Sequence, residues 1–270
     1  MLHLFKQLWF FTCFLLPFGL GAGAAYAQEG AQPGEDTQAA NIRILSVGVE
    51  SIRHYPYYGM CGEEFCGFAR DLIDSFAADQ GFTIHYVPLP INRLHRAMID
   101  GRIDLKFPAS PIWATEEKLG HEIFYTEPVI DFIDGIMSLA STPDKAPLRL
   151  GTIRGFTLNK ALIAKAGTEQ VMEAGTDQDL IQLLIRGRVD GIYSNIAVLN
   201  YVLGQEKLAT GTLVFRSDLP YQRSSYYVSS REKALVDNFD RWMVEHAGKL
   251  TALKAQYELG LSGALTARAR

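Results

Sequence analysis

PINRLHRAMIDGRIDLKFPAS, residues Pro90–Ser110, predicts a helix, a tight stop and a buried strand in succession. Leu94, Ala97 and Met98 follow the i, i+3, i+4 spacing of one apolar helical face. Gly101 stands where a helix ends in the left-handed conformation, which glycine adopts without steric cost. An apolar strand follows directly, so this stretch is typical of the helix–strand joint of an α/β protein.

A second copy of this unit occurs at residues Asp179–Asn195, DLIQLLIRGRVDGIYSN, with Gly187 as its stop. Gly-Arg-Ile-Asp in the first copy matches Gly-Arg-Val-Asp in the second. The joint is common in α/β proteins, so one ordinary domain remains an alternative to two similar lobes. We expect Asp104 and Asp190, the acids of the two matches, to pin the start of a strand rather than to face a ligand.

The first residues of the chain are typical of a secretory signal, Met1–Ala27. Lys6 is its only charged residue, Leu8–Leu20 is apolar, and Ala25–Ala27 is a small-x-small cleavage site. A membrane anchor is the alternative, but the apolar run is shorter than the roughly 20 residues that a span needs. Residues 28–41 are small and polar, which predicts a flexible leader. We therefore expect a periplasmic protein.

Residues 42–270 suffice for one large domain or two small ones. The formal net charge of the whole chain is −4 and no basic block occurs, which disfavours nucleic acid as a partner. No later stretch is long and apolar enough to span a bilayer. We expect a soluble monomer with a small-molecule ligand.

Two cysteines, Cys61 and Cys66, remain after removal of the signal. An even pair close in sequence predicts a disulfide in an oxidising compartment. A metal site is the alternative, but no further Cys or His follows at ligand spacing, and His54 alone would not complete one. We predict no metal and no cofactor.

The alternation of apolar strands and amphipathic helices predicts an α/β fold with largely parallel sheets. Several short motifs follow one another along the chain in a fixed order. They are Tyr55–Tyr58, Gly67-Phe68, Asp71-Leu72, Arg93-Leu94, Gly101–Asp104, Phe107–Ala109, Thr115–Lys118, Tyr125–Pro128, Gly151–Gly155 and Val189-Asp190. Together they resemble the bacterial extracellular solute-binding proteins of family 3, the polar amino acid type, over nearly all of the mature chain.

The resemblance implies a periplasmic-binding fold of type II, in which two Rossmann-like lobes are joined by a two-strand hinge. Lobe 1 would comprise residues 42–134 and 225–270, and lobe 2 residues 135–224. The ligand would lie between the lobes at the carboxyl ends of the strands. Such a protein captures a small polar or anionic solute, amino-acid-like or a carboxylate, and delivers it to an ABC permease in the inner membrane without covalent chemistry.

Two alternatives remain on the same fold. Cyclohexadienyl dehydratases look like these binding proteins, and an enzyme of that kind requires a positioned acid or base. The histidines show no catalytic spacing, so we predict no catalytic residue. A ligand sensor that reports to a separate membrane partner is the second alternative.

The chain departs from the family pattern at both ends of the expected amino acid clamp. Lys118 stands where the family has an arginine for the α-carboxylate, and lysine cannot make the bidentate contact. Asn195 stands where the family has an aspartate for the α-ammonium, and its amide offers no charge. We hypothesise that the ligand is not a standard α-amino acid, or is held in a different pose.

Other residue types suited to binding a small solute lie near the predicted strand ends. Arg93 opens a helix and is a candidate carboxylate clamp, with a solvated surface arginine as the alternative. Lys106 interrupts an apolar strand and would face outward, meet an internal carboxylate or contact the ligand. Aromatic side chains would form walls, or pack in the core. The predicted ligand-binding residues are Tyr55, Tyr57, Tyr58, Arg93, Lys106, Ser110, Trp113, Thr115, Lys118, Arg154, Gly155, Phe156, Thr157 and Asn195.

Overall fold

The structure, a computed structural model, describes residues 43–142, 149–156, 158, 161, 164, 167–168, 171–205 and 211–259. The predicted signal, the predicted leader and Thr157 lie outside these residues. The described strands are β1 (Ile44–Glu50), β2 (Gly59–Cys61), β3 (Glu64–Cys66), β4 (Thr83–Leu89), β5 (Leu105–Ala109), β6 (Phe124–Tyr125), β7 (Ile130–Leu139), β8 (Leu150–Ile153), β9 (Val171–Ala174), β10 (Gly191–Asn195), β11 (Leu213–Phe215) and β12 (Gln222–Ser230). The described helices are α1 (Phe68–Gln80), α2 (Ile91–Ile99), α3 (Asp177–Ile185), α4 (Ile196–Gln205), α5 (Lys233–Glu245) and α6 (Ala247–Gln256).

The repeated helix–strand unit predicted from the sequence is present twice. Helix α2 leads through Gly101, at a φ of 69°, into β5, and helix α3 leads through Gly187, at a φ of 64°, into β10. Both φ values lie in the left-handed region, where a side chain would collide with the backbone, so glycine fits both turns. The prediction of two equivalent joints is confirmed.

The two matching aspartates hold equivalent positions in the sheet. Asp104 accepts hydrogen bonds through Oδ2 from the backbone N–H of Ser46, at 2.7 Å, and from its hydroxyl, at 2.6 Å. Asp190 accepts one through Oδ2 from the backbone N–H of Arg149, at 2.8 Å. Each carboxylate therefore pins its strand to the neighbouring one, β1 or the start of β8, as predicted.

Within the described residues, the strands of the large sheet follow the order β4-β1-β5-β12-β7-β10-β8-β9. Strand β1 is parallel to β4 and β5, and β8 is parallel to β9 and β10. Strands β12 and β7 lie between these two parallel groups and are antiparallel to their neighbours. Parallel strands are joined by crossover connections, which are usually helices. Each parallel group, with its helices, therefore forms the sheet of one lobe.

The two central strands run from one lobe into the other. Residues Ile130–Asp134 of β7 pair with Gln222–Tyr226 of β12. Beyond this shared ladder, β7 pairs with β10 and β11, whereas β12 pairs with β5 and β6. The fold is therefore two Rossmann-like lobes joined by a two-strand hinge, as predicted. The predicted lobe boundaries, 134/135 and 224/225, fall within these two strands.

The C-terminal helices return to the first lobe and complete its core. The ring of Phe76 on α1 lies 4.4 Å from that of Phe239 and 5.7 Å from that of Trp242, both on α5. The Trp242 indole donates a hydrogen bond of 2.8 Å to Asp79, so its polar edge is satisfied while its rings are buried. This aromatic cluster fixes α1 and α5 against the β4-β1-β5 sheet.

The predicted disulfide is present between Cys61 and Cys66, with their Cα atoms 5.9 Å apart. It joins β2 to β3, which pair as a short antiparallel ribbon before α1. None of the helices in the described part of the chain has the length and hydropathy of a membrane span.

Candidate functional site

A cavity lies between the lobes, at the carboxyl ends of β1 and β8 and against the hinge strands. The volume open to the centres of water molecules is about 30 Å³. Its described lining residues are Glu50, Tyr58, Ile91, His95 and Trp113 from the first lobe, Asp134 and Tyr226 from the hinge strands, and Gly155 and Phe156 from the second lobe. Ligands of open α/β sheets bind at this kind of crevice, so the cavity is the candidate site.

Glu50 is the last residue of β1 and is only 3% exposed. Its Oε2 accepts a hydrogen bond of 2.6 Å from the Tyr58 hydroxyl. Burial raises the pKa of the Glu50 carboxyl, because the charged form loses its hydration, while the Tyr58 hydrogen bond and the nearby charge of Lys106 oppose the rise. A charged ligand group that approaches Glu50 would therefore shift its protonation.

Asp134 lies on the hinge strand β7, opposite Asn195 of β10. Its Oδ1 is buried and has no hydrogen-bond partner among the described residues. Burial raises the pKa of Asp134 to about 8, a hydrogen bond from Asn195 opposes this, and the neighbouring Asp177 adds to it. Asp134 thus brings a carboxyl group to the described lining of the cavity.

Lys106 is buried in β5, and its partner is a histidine. Its Nζ lies 3.1 Å from Nδ1 of His95 on α2. Because the ammonium can only donate, Nδ1 must accept, which places the His95 proton on Nε2. Burial, with the charges of Lys106 and Lys118, lowers the pKa of His95 to about 3, so this histidine is neutral. Burial also lowers the pKa of Lys106, and the charge of Glu50 opposes this.

The two positions of the expected amino acid clamp are engaged inside the protein. The Lys118 ammonium donates to the carbonyls of Ser110, at 3.2 Å, and Pro111, at 2.9 Å, and to the Tyr125 hydroxyl, at 2.8 Å. These contacts use its three donors and hold the loop after β5. Burial lowers the pKa of Lys118 to about 8.

Asn195 is fully buried and begins helix α4. Its Oδ1 accepts hydrogen bonds from the backbone N–H groups of Ala197, at 3.0 Å, and Val198, at 3.2 Å, which is the role of an N-cap. Its Nδ2 donates a hydrogen bond of 3.3 Å to the Tyr226 hydroxyl. Asn195 therefore supports a cavity residue instead of lining the cavity.

Tyr226 on β12 is the centre of an aromatic cluster that forms one side of the cavity. Its ring stacks on Phe132 at 4.2 Å and meets the rings of Tyr57 at 5.2 Å and Trp113 at 5.9 Å. Its hydroxyl lies 3.1 Å from Nε2 of His54. Tyr57 is buried in this cluster, whereas Trp113 reaches the cavity.

The turn after β8 brings the second lobe onto the first. Gly155 has a φ of 88°, and a Cβ there would lie 3.1 Å from Cβ of Ile91 on α2. Only glycine allows this close approach without a shift of the helix. Phe156 next to it lines the cavity and meets His54 edge-on at 5.6 Å. Arg154 is exposed, 3.5 Å from Glu173.

The remaining predicted residues lie around the cavity, not on its described lining. Arg93 and Thr115 are exposed. Tyr55 meets Tyr201 of the second lobe at 4.6 Å, in a groove beside the disulfide. Ser110 is buried, and its Oγ, which has no hydrogen-bond partner among the described residues, faces a smaller space that Lys106 also lines.

Of the predicted residues, the structure brings Tyr58, Trp113, Gly155 and Phe156 to the cavity. The sequence reasoning missed five others, and they include both carboxyl groups. They are Glu50, Ile91, His95, Asp134 and Tyr226. A signal existed for two of them, since Glu50 ends an apolar parallel strand and Asp134 interrupts an apolar hinge strand.

Comparison with solved structures identifies the fold. The chain is similar to an arginine third transport system periplasmic binding protein from Legionella pneumophila, with a TM-score of 0.64 and 17% identity over 80% of this chain and 99% of that one. It is also similar to the arginine-, lysine-, histidine-binding protein ArtJ from Geobacillus stearothermophilus, with a TM-score of 0.65 and 16% identity over 80% and 95%. A histidine kinase sensor domain with similarity to periplasmic binding proteins gives a TM-score of 0.67 and 18% identity over 80% and 96%.

These similarities define the class of the fold, the type II periplasmic-binding fold predicted above. At this level of identity they show the fold alone. No protein-family model matches the chain. No curated protein sequence matches it either.

Proposed function

We propose that the protein is a solute-binding receptor that acts outside the cytoplasm, captures a small polar solute between its lobes and delivers it to an ABC permease. The proposal rests on one observation: the cavity walls come from both lobes and from the hinge strands between them. Glu50 and Trp113 come from the first lobe, Phe156 comes from the second, and Asp134 and Tyr226 come from the hinge strands. A solute held there contacts both lobes, so its binding favours the closed arrangement.

The chemistry of the walls suits binding. Apolar and aromatic side chains make up most of the lining, and a few polar groups converge on it, which is typical of small-molecule sites. The similar transport proteins are described as binding amino acids, and the predicted secretory signal agrees with action in the periplasm. Delivery to a permease follows from this class of fold and is part of the proposal.

The test is thermal unfolding of the mature chain against L-amino acids, small carboxylates, amines, sugars and short peptides. A solute that binds only the folded state raises the midpoint temperature of unfolding. At a hundredfold excess over its dissociation constant, it adds about 2.7 kcal/mol to the free energy of unfolding. We expect the shift to disappear in Phe156→Ala. It should persist in Phe215→Ala, because Phe215 lies in the second lobe against Tyr221 and not on the described cavity lining.

Two results contradict the proposal. One is the absence of a shift with every solute class. The other is a shift that Phe156→Ala leaves intact, because the solute would then bind outside the interlobe cavity.

An enzyme on the same fold is the second candidate, and the pKa of Asp134 favours it. A carboxyl with a pKa of about 8 in a cleft suits a general acid or base near neutral pH. The two functions differ in the fate of the solute. Mass spectrometry of a bound solute after prolonged incubation should recover it unchanged if the protein is a receptor, whereas a new product that Asp134→Asn no longer forms would establish an enzyme.

A further inference from the structure

The described lining of the cavity includes two carboxyl side chains. Glu50 faces it from the first lobe and Asp134 from the hinge strand. The described lining contains no lysine or arginine. The Asp134 Oδ1 atom is buried without a hydrogen-bond partner in the described part of the chain, so it retains its full capacity to accept one. Two carboxyls from different parts of the fold thus face one small space.

Two lysines near the cavity contact protein atoms and are not among its described lining residues. The Lys106 ammonium contacts His95 Nδ1, and the three donors of Lys118 have oxygen partners. Arg93 on α2 is exposed and is not among the described lining residues. A carboxylate in the cavity would therefore lie near two acids and find no lysine or arginine on the walls that the structure describes.

The remaining walls favour a positive charge as well. Tyr58, Trp113, Phe156 and Tyr226 present aromatic rings, whose faces attract cations. His95 is neutral and donates or accepts without a charge of its own. An organic ammonium ion is typically bound by aromatic rings, whose faces attract cations, together with carboxylates that accept its hydrogen bonds.

The size of the cavity limits the ligand. A single water needs roughly 10–15 Å³ of space for its centre. The volume of about 30 Å³ therefore admits a compact group and not a long side chain.

We propose that the solute is a compact organic amine that lacks a carboxylate, held through its ammonium group between Glu50 and Asp134 and through its carbon atoms against the aromatic walls. This inference rests on the proposed receptor function and narrows its ligand class. It departs from the zwitterions named for the similar transport proteins, since the described lining offers carboxyl groups to an ammonium but no lysine or arginine to a carboxylate.

Binding should also release protons. In the ligand-free protein, burial raises the pKa of Asp134 to about 8, so its carboxyl is largely protonated at neutral pH. Asn195 lowers this pKa and Asp177 raises it, while His54 nearby is kept neutral by burial. The hydroxyls that interact with Asp134 have raised pKa values and are therefore neutral; they belong to Tyr57, Tyr58, Tyr193 and Tyr226. An ammonium group that is bound by the ionised carboxylate displaces the proton into the solvent.

The experiment uses four probes of similar size and different charge: n-propylamine, 1-propanol, propionate and alanine. Isothermal titration of the mature chain at pH 7.5 should detect binding of n-propylamine only. Titrations in phosphate and in HEPES should give different apparent enthalpies, because the released protons are taken up by buffers with different ionisation enthalpies. The affinity should rise between pH 6 and pH 9 as the carboxyls lose their protons.

The variants locate the ammonium partner. Asp134→Asn and Glu50→Gln should each weaken the binding of n-propylamine by at least about 30-fold, as expected when one partner of a buried charge pair is removed. Asp131→Asn is the matched control, because Asp131 lies on the same strand but is exposed and hydrogen-bonded to Ser225. It should bind n-propylamine like the parent protein.

The outcomes separate this inference from the receptor function itself. Binding of propionate or alanine, or amine binding without proton release, refutes the amine proposal and leaves the receptor function standing. The same holds if none of the four probes binds but another solute class shifts the thermal midpoint. If no solute of any class binds, both proposals fail. The probe series and the proton release are measured on the parent protein, so a variant that does not fold leaves the test intact.

Discussion

The Asp134→Asn substitution should stabilise the ligand-free protein at neutral pH and leave its stability unchanged at acidic pH. The pKa of Asp134 is about 8 in the folded protein, against 3.8 for the ordinary carboxyl. Between these values the folded state holds a proton that the unfolded state has released. The free energy of unfolding of the parent protein therefore falls as the pH rises through this window. Asparagine does not titrate and removes that dependence.

The magnitude follows from the width of the window. From the unfolded-state pKa of Asp134 to pH 7 is about three pH units, and each unit corresponds to about 1.4 kcal/mol. Burial of Asp134 therefore lowers the free energy of unfolding at pH 7 by at most about 4 kcal/mol. Because structural relaxation around a partly exposed residue reduces such penalties, we expect a gain of about 2–4 kcal/mol. At pH 3.5 and below both states are largely protonated, and the gain should vanish.

Urea unfolding of the parent, Asp134→Asn and Asp131→Asn at pH 3.5 and pH 7 measures this directly. Asp131 occupies the same strand but is exposed, so its variant should follow the parent within about 0.5 kcal/mol at both values. Equal gains at both pH values would refute the titration argument, because the cause would then be packing. A loss of stability at pH 7 would refute the burial penalty itself.

Three further predictions concern the scaffold. Replacing both Cys61 and Cys66 by serine should lower the free energy of unfolding by about 2 kcal/mol, the loop-closure value for a separation of 5 residues; urea unfolding measures it, and an unchanged midpoint would contradict it. Phe76→Ala should lower the free energy of unfolding by about 3–5 kcal/mol, because the ring is fully buried against α5. A loss below about 1 kcal/mol would show that the helices repack. Gly67→Ala should cost about 1–3 kcal/mol, because its φ is 95° and the new Cβ would lie 3.0 Å from Cα of Tyr58. The matched control is Gly248→Ala, which meets no atom within 4 Å.

Local sequence signals predicted the joints of the fold well. Gly101 and Gly187 marked helix ends because the left-handed conformation is a property of one residue and its immediate neighbours. Asp104 and Asp190 were recognisable through the repeat and have equivalent roles in the two lobes. Such features depend on few residues, so their physical cause is visible in the sequence.

The site depends on contacts between distant parts of the chain, which residue types alone do not reveal. Lys106 was identified as a lysine in an apolar strand, but its partner, His95, is set by the packing of α2 on β5. Lys118 and Asn195 stand at the positions expected for binding, yet their hydrogen bonds are made to the protein. Glu50 and Asp134 line one cavity although their strands, β1 and β7, are separated in the sheet by β5 and β12.

Asp134 and Tyr226 lie in the stretches where β7 and β12 pair with each other, Ile130–Asp134 with Gln222–Tyr226. Backbone hydrogen bonds fix their spacing, whatever the angle between the lobes. In the proposed receptor, the same short ladder would both contact the solute and act as the pivot of lobe closure. Solute binding and the angle between the lobes would then depend on the same residues. A substitution in this ladder should alter affinity and closure together, whereas one at Phe156 should alter affinity while leaving the pivot unchanged.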